Sequence, residues 1–502
     1  MVAGDPVERF LALWSEIADL GDAAGLLAWD QETHMPPHGH AARGQLQATL
    51  AGLRHARLCA PELGELVERC AERAEPGSVL AAQVREARRV LRRTTRVPER
   101  LARERAEAAT LGHEAWAAAR GASRFALFAP LLERLVALAR EYASCVAEDG
   151  QSTYDVLLDE FEPGTRSAAV KTLLDDLERA LSPMVRAAAA TGVAPDDAAA
   201  RGTFPVERQL AFARECSARF GFDFERGRID PAPHPFCNGF GPDDVRLTWR
   251  WDEGDLRPGL FGVLHETGHG LYEQGLPREW QRTPIGSAVS LGVHESQSRL
   301  WENLVGRSRP FWSWALPRLH AHFPDARHVR PATLLPLLHT VRPSLIRVEA
   351  DQGTYDLHVC LRFALERALF AGELAVRDLP AAWDDACARL LGLRPANASE
   401  GVLQDIHWSM GAFGYFPTYT LGNLVAAQLF AAARRALGDL DGAFARGEFR
   451  PLLEWLREYV HRHGSFHTAD ELVRRATGRP LASDEYLALR RAELDEYYGV
   501  RA

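Results

Sequence analysis

Hydrophobic residues recur at every third or fourth position along almost the whole chain, a spacing typical of α-helices that bury one face. The pattern starts after Asp5-Pro6, where an aspartate can cap a helix and a proline suits its first turn. The sequence therefore predicts an all-α fold. Further helices are predicted over 41–72, 78–95, 98–120, 125–148, 166–190, 205–220, 257–275, 288–305, 310–322, 331–370, 378–392, 418–437, 450–463 and 483–497.

One short segment has the alternation of a β-strand instead. Between Val245 and Trp251 apolar and polar residues alternate, which is the pattern of a half-buried strand. The preceding 234–236 and the glycine-rich 239–242 favour a small hairpin. We therefore expect a very small antiparallel sheet just before the main motif. An edge strand there can bind an extended peptide through its main chain.

The stretch 187–204 is the best candidate for a linker, because it contains Gly192, Pro195 and Gly202. It separates an N-terminal helical region, 1–204, from a helical catalytic region, 205–502. We expect the two regions to form one continuous fold.

Composition excludes several classes of function. The net charge of −9 argues against nucleic-acid or anionic-membrane partners. The six arginines within 85–96 lack interleaved aromatic residues, so a solvated helix face or a groove wall for anionic peptides is favoured over nucleic-acid binding. The longest uncharged apolar run, near 421–433, is too short to cross a bilayer. Lys171 is the only lysine, which excludes a P-loop and argues against Schiff-base chemistry.

The cysteines indicate a reducing compartment. There are seven, they are scattered, and none forms a CxxC pair. Met1–Asp5 has neither a basic nor an apolar leader character, so we expect no signal peptide and a cytoplasmic protein.

The segment His265-Glu266-Thr267-Gly268-His269 is an HExxH motif on a predicted helix. Residues four apart share one helix face, so both imidazoles can reach one Zn²⁺ ion. Glu266 then lies beside the metal, where it can accept a proton from water. The alternative is a surface helix with two exposed histidines, but the apolar neighbours Val263 and Leu264 favour a buried face.

Zinc needs a third protein ligand and an open position. A second predicted helix carries His294-Glu295-Ser296-Gln297. Packed antiparallel to the first helix, it would bring Glu295 to the metal. His294 is the competing choice, because neighbours on a helix point about 100° apart and only one can face the ion. Glu302 either orients a ligand histidine or forms an ordinary ion pair.

These motifs belong to a longer series of separated signatures. In them the chain resembles the carboxypeptidase Taq family of metallocarboxypeptidases, and the resemblance covers nearly the whole chain. The signatures are His234-Pro235-Phe236, Asp244-x-Arg246-x-Thr248, HExxH, His294-Glu295-Ser296-Gln297, Ile346-Arg347-x-x-Ala350-Asp351 and Gly401-x-x-Gln404-Asp405-x-His407-Trp408, together with similar segments at 29–36, 154–159 and 413–423.

The resemblance implies a saddle-shaped, almost all-helical fold with a deep groove, of which 1–204 would form one wall or lid. It implies a very small sheet beside the metal site and a homodimer. It further implies a Zn²⁺ or Co²⁺ centre held by His265, His269 and Glu295. The implied activity is removal of single C-terminal residues from peptides, with broad specificity.

Amide hydrolysis needs an activated water, a stabilised oxyanion and a protonated leaving amine, and Glu266 is the expected base and acid. Candidate oxyanion donors are His407, Tyr415 and Tyr419, which surround a glycine-punctuated loop. For each of these residues the alternative is a structural role in the core.

An exopeptidase must also recognise the free carboxylate of its substrate, which the bidentate fork of an arginine does best. Arg347 is the first candidate, with Asp351 four residues on to orient it; the alternative is a structural ion pair between the two. Arg246 is the second candidate, and His234 is expected only to line the groove.

Two other functions remain open at this stage. The first is an endo-acting metallo-oligopeptidase of the helical HExxH type, which would cleave amidated peptides equally well. The second is a non-catalytic helical scaffold that has kept the motif, against which the intact Glu266 argues.

Overall fold

The structure, a computed structural model, describes residues 5–500, and helices dominate this part of the chain as the sequence predicts. Met1–Gly4, on which most of the signal-peptide prediction rests, lie outside the described residues. Within 5–500 we find no helix that combines the length and the apolar character needed to span a membrane. The helices are α1 (Pro6–Thr33), α2 (His40–Leu58), α3 (Pro61–Arg73), α4 (Val79–Thr95), α5 (Glu99–Gly121), α6 (Ala129–Val146), α7 (Thr153–Leu158), α8 (Ser167–Ala190), α9 (Val206–Phe220), α10 (Leu256–Glu273), α11 (Leu291–Arg299), α12 (Arg309–His322), α13 (Pro331–Leu338), α14 (Tyr355–Ala371), α15 (Leu379–Leu391), α16 (Pro417–Leu437), α17 (Leu440–Ala445), α18 (Arg450–Tyr459), α19 (Ala469–Thr477) and α20 (Asp484–Tyr498).

The helical prediction is wrong in two long stretches. The single helix predicted over 41–72 is two helices, α2 and α3, because Pro61 starts a new helix after a break. The single helix predicted over 331–370 is also two, α13 and α14, separated by an irregular segment that contains Pro343. The short helices α7, α17 and α19 were not predicted, since they offer too few turns for a clear periodicity.

The small sheet is present, with one difference from the expectation. β2 and β3 form the predicted antiparallel hairpin, with Cys237 opposite Leu247. The prediction of a purely antiparallel sheet is wrong, because β1 pairs with β3 in parallel. Only two of the five residues of β1 are buried, so its sequence lacks the alternation that marks a strand. The strands are β1 (Gly227–Pro231), β2 (Cys237–Gly239) and β3 (Val245–Trp249), in the order β1-β3-β2, and β2 and β3 pack on α10.

The chain divides into two compact units, each built from three separate segments. The first unit contains the sheet, α10 and α11, and the second contains α7 and α14. One boundary, at Pro195 and Asp196, falls inside the predicted linker 187–204. The division after residue 204 stays a prediction, and each unit draws on segments from both sides of that residue. The segments are Met1–Thr95, Asp196–Leu335 and Leu429–Pro480 for the first unit, and Arg96–Pro195, Pro336–Gln428 and Leu481–Ala502 for the second.

Aromatic packing in the first unit supports the helix that follows α10. The ring of Phe220, at the end of α9, lies 4.7 Å from that of Trp301 and 4.8 Å from that of Phe449. Such rings bury a large apolar area. Trp301 belongs to a π-helical segment, Leu300–Gly306, that continues α11 and carries Glu302. The aromatic core therefore fixes the position from which Glu302 reaches the site.

Candidate metal centre

α10 places both histidines of the HExxH motif on one face, as their spacing predicts. Their Nε2 atoms face Oε2 of Glu295, at 3.6 Å from His265 and 3.4 Å from His269. One nitrogen from each ring and one carboxylate oxygen thus lie within 4.8 Å of one another. Within residues 5–500 no other three histidine, cysteine or acidic side chains come together in this way.

Glu295 reaches the histidines because α11 passes very close to α10. A Cβ atom at Gly268 would lie 2.5 Å from the backbone oxygen of Gln297 and 2.6 Å from Cα of Ser298. Only glycine leaves room for such an approach of two backbones. The glycine inside the HExxH motif therefore permits the helix crossing that brings the third side chain to the site.

Both oxygens of Glu295 are held in place. Oε1 accepts a hydrogen bond from Nε of Arg299 at 2.7 Å, and Oε2 accepts one from Oγ of Ser298 at 3.0 Å. Burial raises the pKa of the Glu295 carboxyl, but Arg299 and the two histidines outweigh burial and hold this pKa well below its usual range. Glu295 is therefore a fixed anion directed at the two histidines.

Glu302 contacts the other side of the His265 ring. Nδ1 of His265 lies 2.9 Å from Oε2 of Glu302, whose Oε1 accepts a hydrogen bond from Nη2 of Arg307 at 2.7 Å. Burial raises the pKa of Glu302, but His265 and Arg307 lower it to about 2. Both roles considered for Glu302 are present, because it orients a histidine and also forms an ion pair.

His294, the competing choice for the third ligand, points elsewhere. Its Nε2 lies 2.8 Å from Oε1 of Glu273. Its ring stacks on His269 with 4.4 Å between centroids and 17° between planes. The structure thus groups Glu295, and not His294, with the two histidines. His294 restricts the rotation of His269 instead.

Glu266 is buried beside the same group. Burial raises the pKa of its carboxyl to about 7, against the opposing charge of His265. Two imidazole nitrogens and one carboxylate oxygen are a ligand set of catalytic zinc sites, which keep a fourth position open. The side chains on α10 and α11 therefore fit a divalent metal ion.

A second polar cluster lies in the second unit, around Arg347. Nε and Nη2 of Arg347 donate to Oδ1 of Asp405 at 3.0 and 2.9 Å, and Nη1 donates to the hydroxyl of Tyr355 at 2.9 Å. The expectation that Asp351 orients Arg347 is wrong. Asp351 accepts hydrogen bonds from three backbone N–H groups nearby. The helical turn at Arg347–Glu349 is too short for residues four apart to share a face.

His407, Tyr415 and Tyr419 join Arg347 in this cluster. Nε2 of His407 lies 3.2 Å from the hydroxyl of Tyr419. The ring of Tyr415 lies 5.2 Å from that of His407 and 5.4 Å from that of Tyr419, and the guanidinium of Arg347 lies 5.0 Å from the Tyr419 ring. Burial lowers the pKa of His407 to about 4, against the opposing charge of Asp405, so the imidazole is neutral at pH 7.

Comparison with known proteins identifies the family of the chain. The family model described as carboxypeptidase Taq (M32) metallopeptidase matches residues 9–494. The chain belongs to this M32 family. It is therefore a metallocarboxypeptidase, a peptide hydrolase that depends on a divalent metal.

Individual M32 relatives match over almost their full length. Thermostable carboxypeptidase 1 from Thermus thermophilus is 43% identical over 98% of this chain and 99% of that protein. The protein of the same name from Pyrococcus furiosus is 36% identical over 96% of this chain and 97% of its own. The crystal structure of the M32 carboxypeptidase from Deinococcus radiodurans superimposes with a TM-score of 0.95, at 41% identity, over 99% of this chain and 100% of that one.

Arg246 and His234, the remaining predicted substrate residues of this M32 enzyme, lie on or next to the sheet. Arg246 donates through Nε and Nη2 to the two oxygens of Asp244 at 2.9 and 2.8 Å. Its guanidinium packs 4.3 Å from the ring centre of Trp29 in α1. His234 is exposed in the loop before β2. His234 is not part of the group of His265, His269 and Glu295.

Three residues that hold candidate site residues in place were not predicted in these roles. Asp405 holds Arg347, Arg299 holds Glu295, and Glu273 holds His294. Arg299 carried a signal, because oppositely charged residues four apart on a helix meet. Asp405 lay inside a signature, but its partner is 58 positions away. The pair of Glu273 and His294 comes from two helices, and no local spacing indicates it.

Proposed function

We propose that this M32 enzyme removes single residues from the free C-terminus of peptides with broad specificity. We further propose that its metal is Zn²⁺, with Co²⁺ as the other candidate, and that His265, His269 and Glu295 hold it. One observation carries the proposal. A single oxygen of Glu295 faces Nε2 of both histidines at 3.4 and 3.6 Å, which suits three ligands of one tetrahedral ion.

Glu266 is the proposed general base and acid. When bound, the metal would polarise the scissile carbonyl and make water more acidic. Glu266 would accept the proton of the attacking water and return it to the nitrogen of the leaving amine. Burial supports this role, because it raises the pKa of Glu266 to about 7, close to the pH at which the proton must be both taken and given.

His407, Tyr415 and Tyr419 are the proposed donors to the oxyanion. A neutral imidazole donates through one ring nitrogen, and the low pKa of His407 keeps it neutral. Nδ1 of His407 is buried, and no hydrogen-bond partner for it is found within 5–500. Each preorganised donor contributes roughly 3–4 kcal/mol to transition-state stabilisation.

Arg347 is the proposed site for the substrate carboxylate. Its guanidinium has five N–H groups, of which three bind Asp405 and Tyr355. One N–H on Nη1 and one on Nη2 remain for a ligand, which is the number that a bidentate carboxylate contact requires. Asp405 and Tyr355 also fix the plane of the guanidinium, so its orientation is set before a peptide binds.

The test compares a peptide that ends in a free acid with the same peptide amidated at its C-terminus. The enzyme is treated with a chelator and reloaded with Zn²⁺ or Co²⁺, and products are identified by mass spectrometry. We expect stepwise loss of single C-terminal residues from the free acid only. Internal cleavage that amidation does not affect would establish an endo-acting oligopeptidase instead. Glu266→Gln is the matched control, which we expect to bind metal without turnover.

Quaternary structure and location are proposed as well. We propose that the enzyme is a homodimer, on the basis of the family resemblance. We propose that it is cytoplasmic, on the basis of its cysteines. All seven cysteines are free thiols, as expected in a reducing compartment. Sedimentation velocity over a range of concentrations tests the dimer, and a monomer throughout would refute it.

A further inference from the structure

Glu366 is a buried carboxylate to which the proposed mechanism gives no part. It lies in α14 with none of its surface exposed. It accepts three hydrogen bonds, from the hydroxyl of Tyr154 at 2.7 Å, from Nε1 of Trp408 at 2.7 Å and from the backbone N–H of Gly414 at 3.0 Å. Burying a carboxylate is costly unless donors compensate it, so this arrangement depends on all three.

Two of the three partners of Glu366 lie at the ends of the loop between His407 and Tyr415, two of the proposed oxyanion donors. Trp408 directly follows His407, and Gly414 directly precedes Tyr415. Oε1 holds Trp408 and Oε2 holds Gly414. One planar group therefore spans the loop and fixes its two ends relative to each other.

The same loop rests on α7. Gly414 has a φ of +84°, and a Cβ atom there would lie 2.7 Å from the backbone of both Leu157 and Leu158. α7 also contributes Tyr154, the third donor to Glu366. The signature at 154–159 has no role in the proposed mechanism. It packs against the loop and, through Tyr154, binds the same carboxylate as the loop does.

We propose that Glu366 is the positioning residue that sets the distance between His407 and Tyr415, through its bonds to Trp408 and Gly414. The inference rests on the proposed function, because Glu366 acts only through residues assigned to the oxyanion. Hydrogen-bond donors that are already oriented toward the oxyanion lower the barrier of the reaction. A displacement of such a donor by about 1 Å can reduce the rate about 100-fold.

Trp383 offers a matched comparison in the same core. Its ring meets that of Trp408 edge to face, with 5.9 Å between centroids and 89° between planes. Trp383 is also buried, and its side chain hydrogen-bonds with Cys387 and not with Glu366. Trp408→Phe and Trp383→Phe remove the same chemical group from neighbouring rings, and only the first breaks a bond to Glu366.

The experiment measures kcat and KM on one free-acid peptide for the Zn²⁺-loaded enzyme and its variants. Glu366→Gln sets an NH₂ group against the N–H of either Trp408 or Gly414, because an amide accepts at one end only. We expect kcat to fall about 10- to 100-fold with KM within about twofold, a pattern of lost transition-state contacts. Trp408→Phe should show a smaller loss of the same kind, and Trp383→Phe none.

A double variant tests whether the two side chains act together. Glu366→Gln and Trp408→Phe both alter the hydrogen bonds of one carboxyl group, so their effects on kcat should be less than additive. Additive effects would overturn the proposal. So would a wild-type kcat in Glu366→Gln, or an equal loss in Trp383→Phe.

Metal content and thermal unfolding, measured in parallel, separate positioning from loss of fold. If Glu366→Gln does not fold, Tyr154→Phe and Trp408→Phe carry the test, and wild-type kcat in both would refute the proposal. An active wild type with unaffected variants contradicts only the role of Glu366. A wild type without carboxypeptidase activity contradicts the proposed function itself.

Discussion

Two carboxylates contact opposite sides of the His265 ring. Oε2 of Glu295 faces Nε2 at 3.6 Å, and Oε2 of Glu302 lies 2.9 Å from Nδ1. Burial lowers the pKa of His265, but Glu295 and Glu302 outweigh burial and raise this pKa to about 9, so the ring is protonated without a metal. A metal at Nε2 would displace that proton and leave the N–H of Nδ1 to donate to Glu302. The two carboxylates thus determine which ring nitrogen of His265 can bind a metal and which donates a hydrogen bond.

Glu302→Gln should therefore weaken metal binding without unfolding the protein. The amide removes the charge that supports His265, and loss of such a partner typically costs about 10- to 100-fold in metal affinity. Competition with a fluorescent zinc chelator measures the change. Glu279→Gln, which alters an exposed residue, is the control. Equal affinities in the two variants would show that Glu302 serves only Arg307.

Arg347→Lys tests recognition of the substrate carboxylate. Lysine keeps the charge but has no planar fork, so one charged hydrogen bond, worth about 1.5–3 kcal/mol, is lost. We expect kcat/KM for free-acid peptides to fall about 10- to 100-fold. Arg377→Lys, at a side chain that is 82% exposed, should retain wild-type kinetics. Unchanged kinetics in folded Arg347→Lys would remove this residue from the site.

Among the secondary-structure elements, helices with one continuous buried face are the ones that the sequence predicts. α10 is the clearest case, with buried residues from Leu256 to Tyr272. The π-helical segment Leu300–Gly306 could not be predicted, because its apolar residues also fit the end of an ordinary helix. β1 could not be predicted either, since its pairing with β3 joins residues far apart in sequence and only two of its side chains are buried.

Gly268→Ala should separate α10 from α11. The new methyl group would lie 2.5 Å from the backbone of Gln297, and relief of such overpacking costs about 1–3 kcal/mol. Glu295 moves with α11, so metal affinity should fall together with the free energy of unfolding. Urea unfolding and chelator competition measure the two effects.

Gly262→Ala is the control on the same helix. A Cβ atom at this position meets nothing within 4 Å. Alanine should then stabilise α10 by about 0.5–1 kcal/mol, because glycine loses more conformational freedom on folding. If Gly268→Ala behaved like Gly262→Ala, the close helix crossing would not be needed to bring Glu295 to the histidines.

At the scale of the whole molecule, the two clusters were not equally predictable. The metal-binding candidates lie in two local motifs, so helical spacing alone indicates which side chains share a face. The second cluster joins Arg347 to Asp405 and Tyr419, which no local pattern connects. The resemblance pointed to these residues, but only the structure shows that Asp405 and not Asp351 is the partner of Arg347.

Stability of the whole molecule should fall in acid, because buried neutral histidines take up protons on unfolding. Burial lowers the pKa of His358 to about 3 and that of His407 to about 4, whereas an unfolded histidine has a pKa of about 6.5. Between these values the unfolded state binds more protons, so stability present above about pH 6.5 is lost as the pH falls toward the folded-state values.

His358→Gln should remove part of this dependence. The side chain of His358 is almost completely buried. We therefore expect the free energy of unfolding to lose about 3 kcal/mol through this residue between about pH 7 and about pH 4.5. The loss corresponds to the roughly two pH units between the unfolded pKa and the lower pH, at about 1.4 kcal/mol per unit. Urea unfolding of the chelated protein at both pH values measures it without a contribution from metal release. The exposed His234→Gln should keep the wild-type dependence. An unchanged pH dependence in His358→Gln would show that the acid sensitivity arises from other groups.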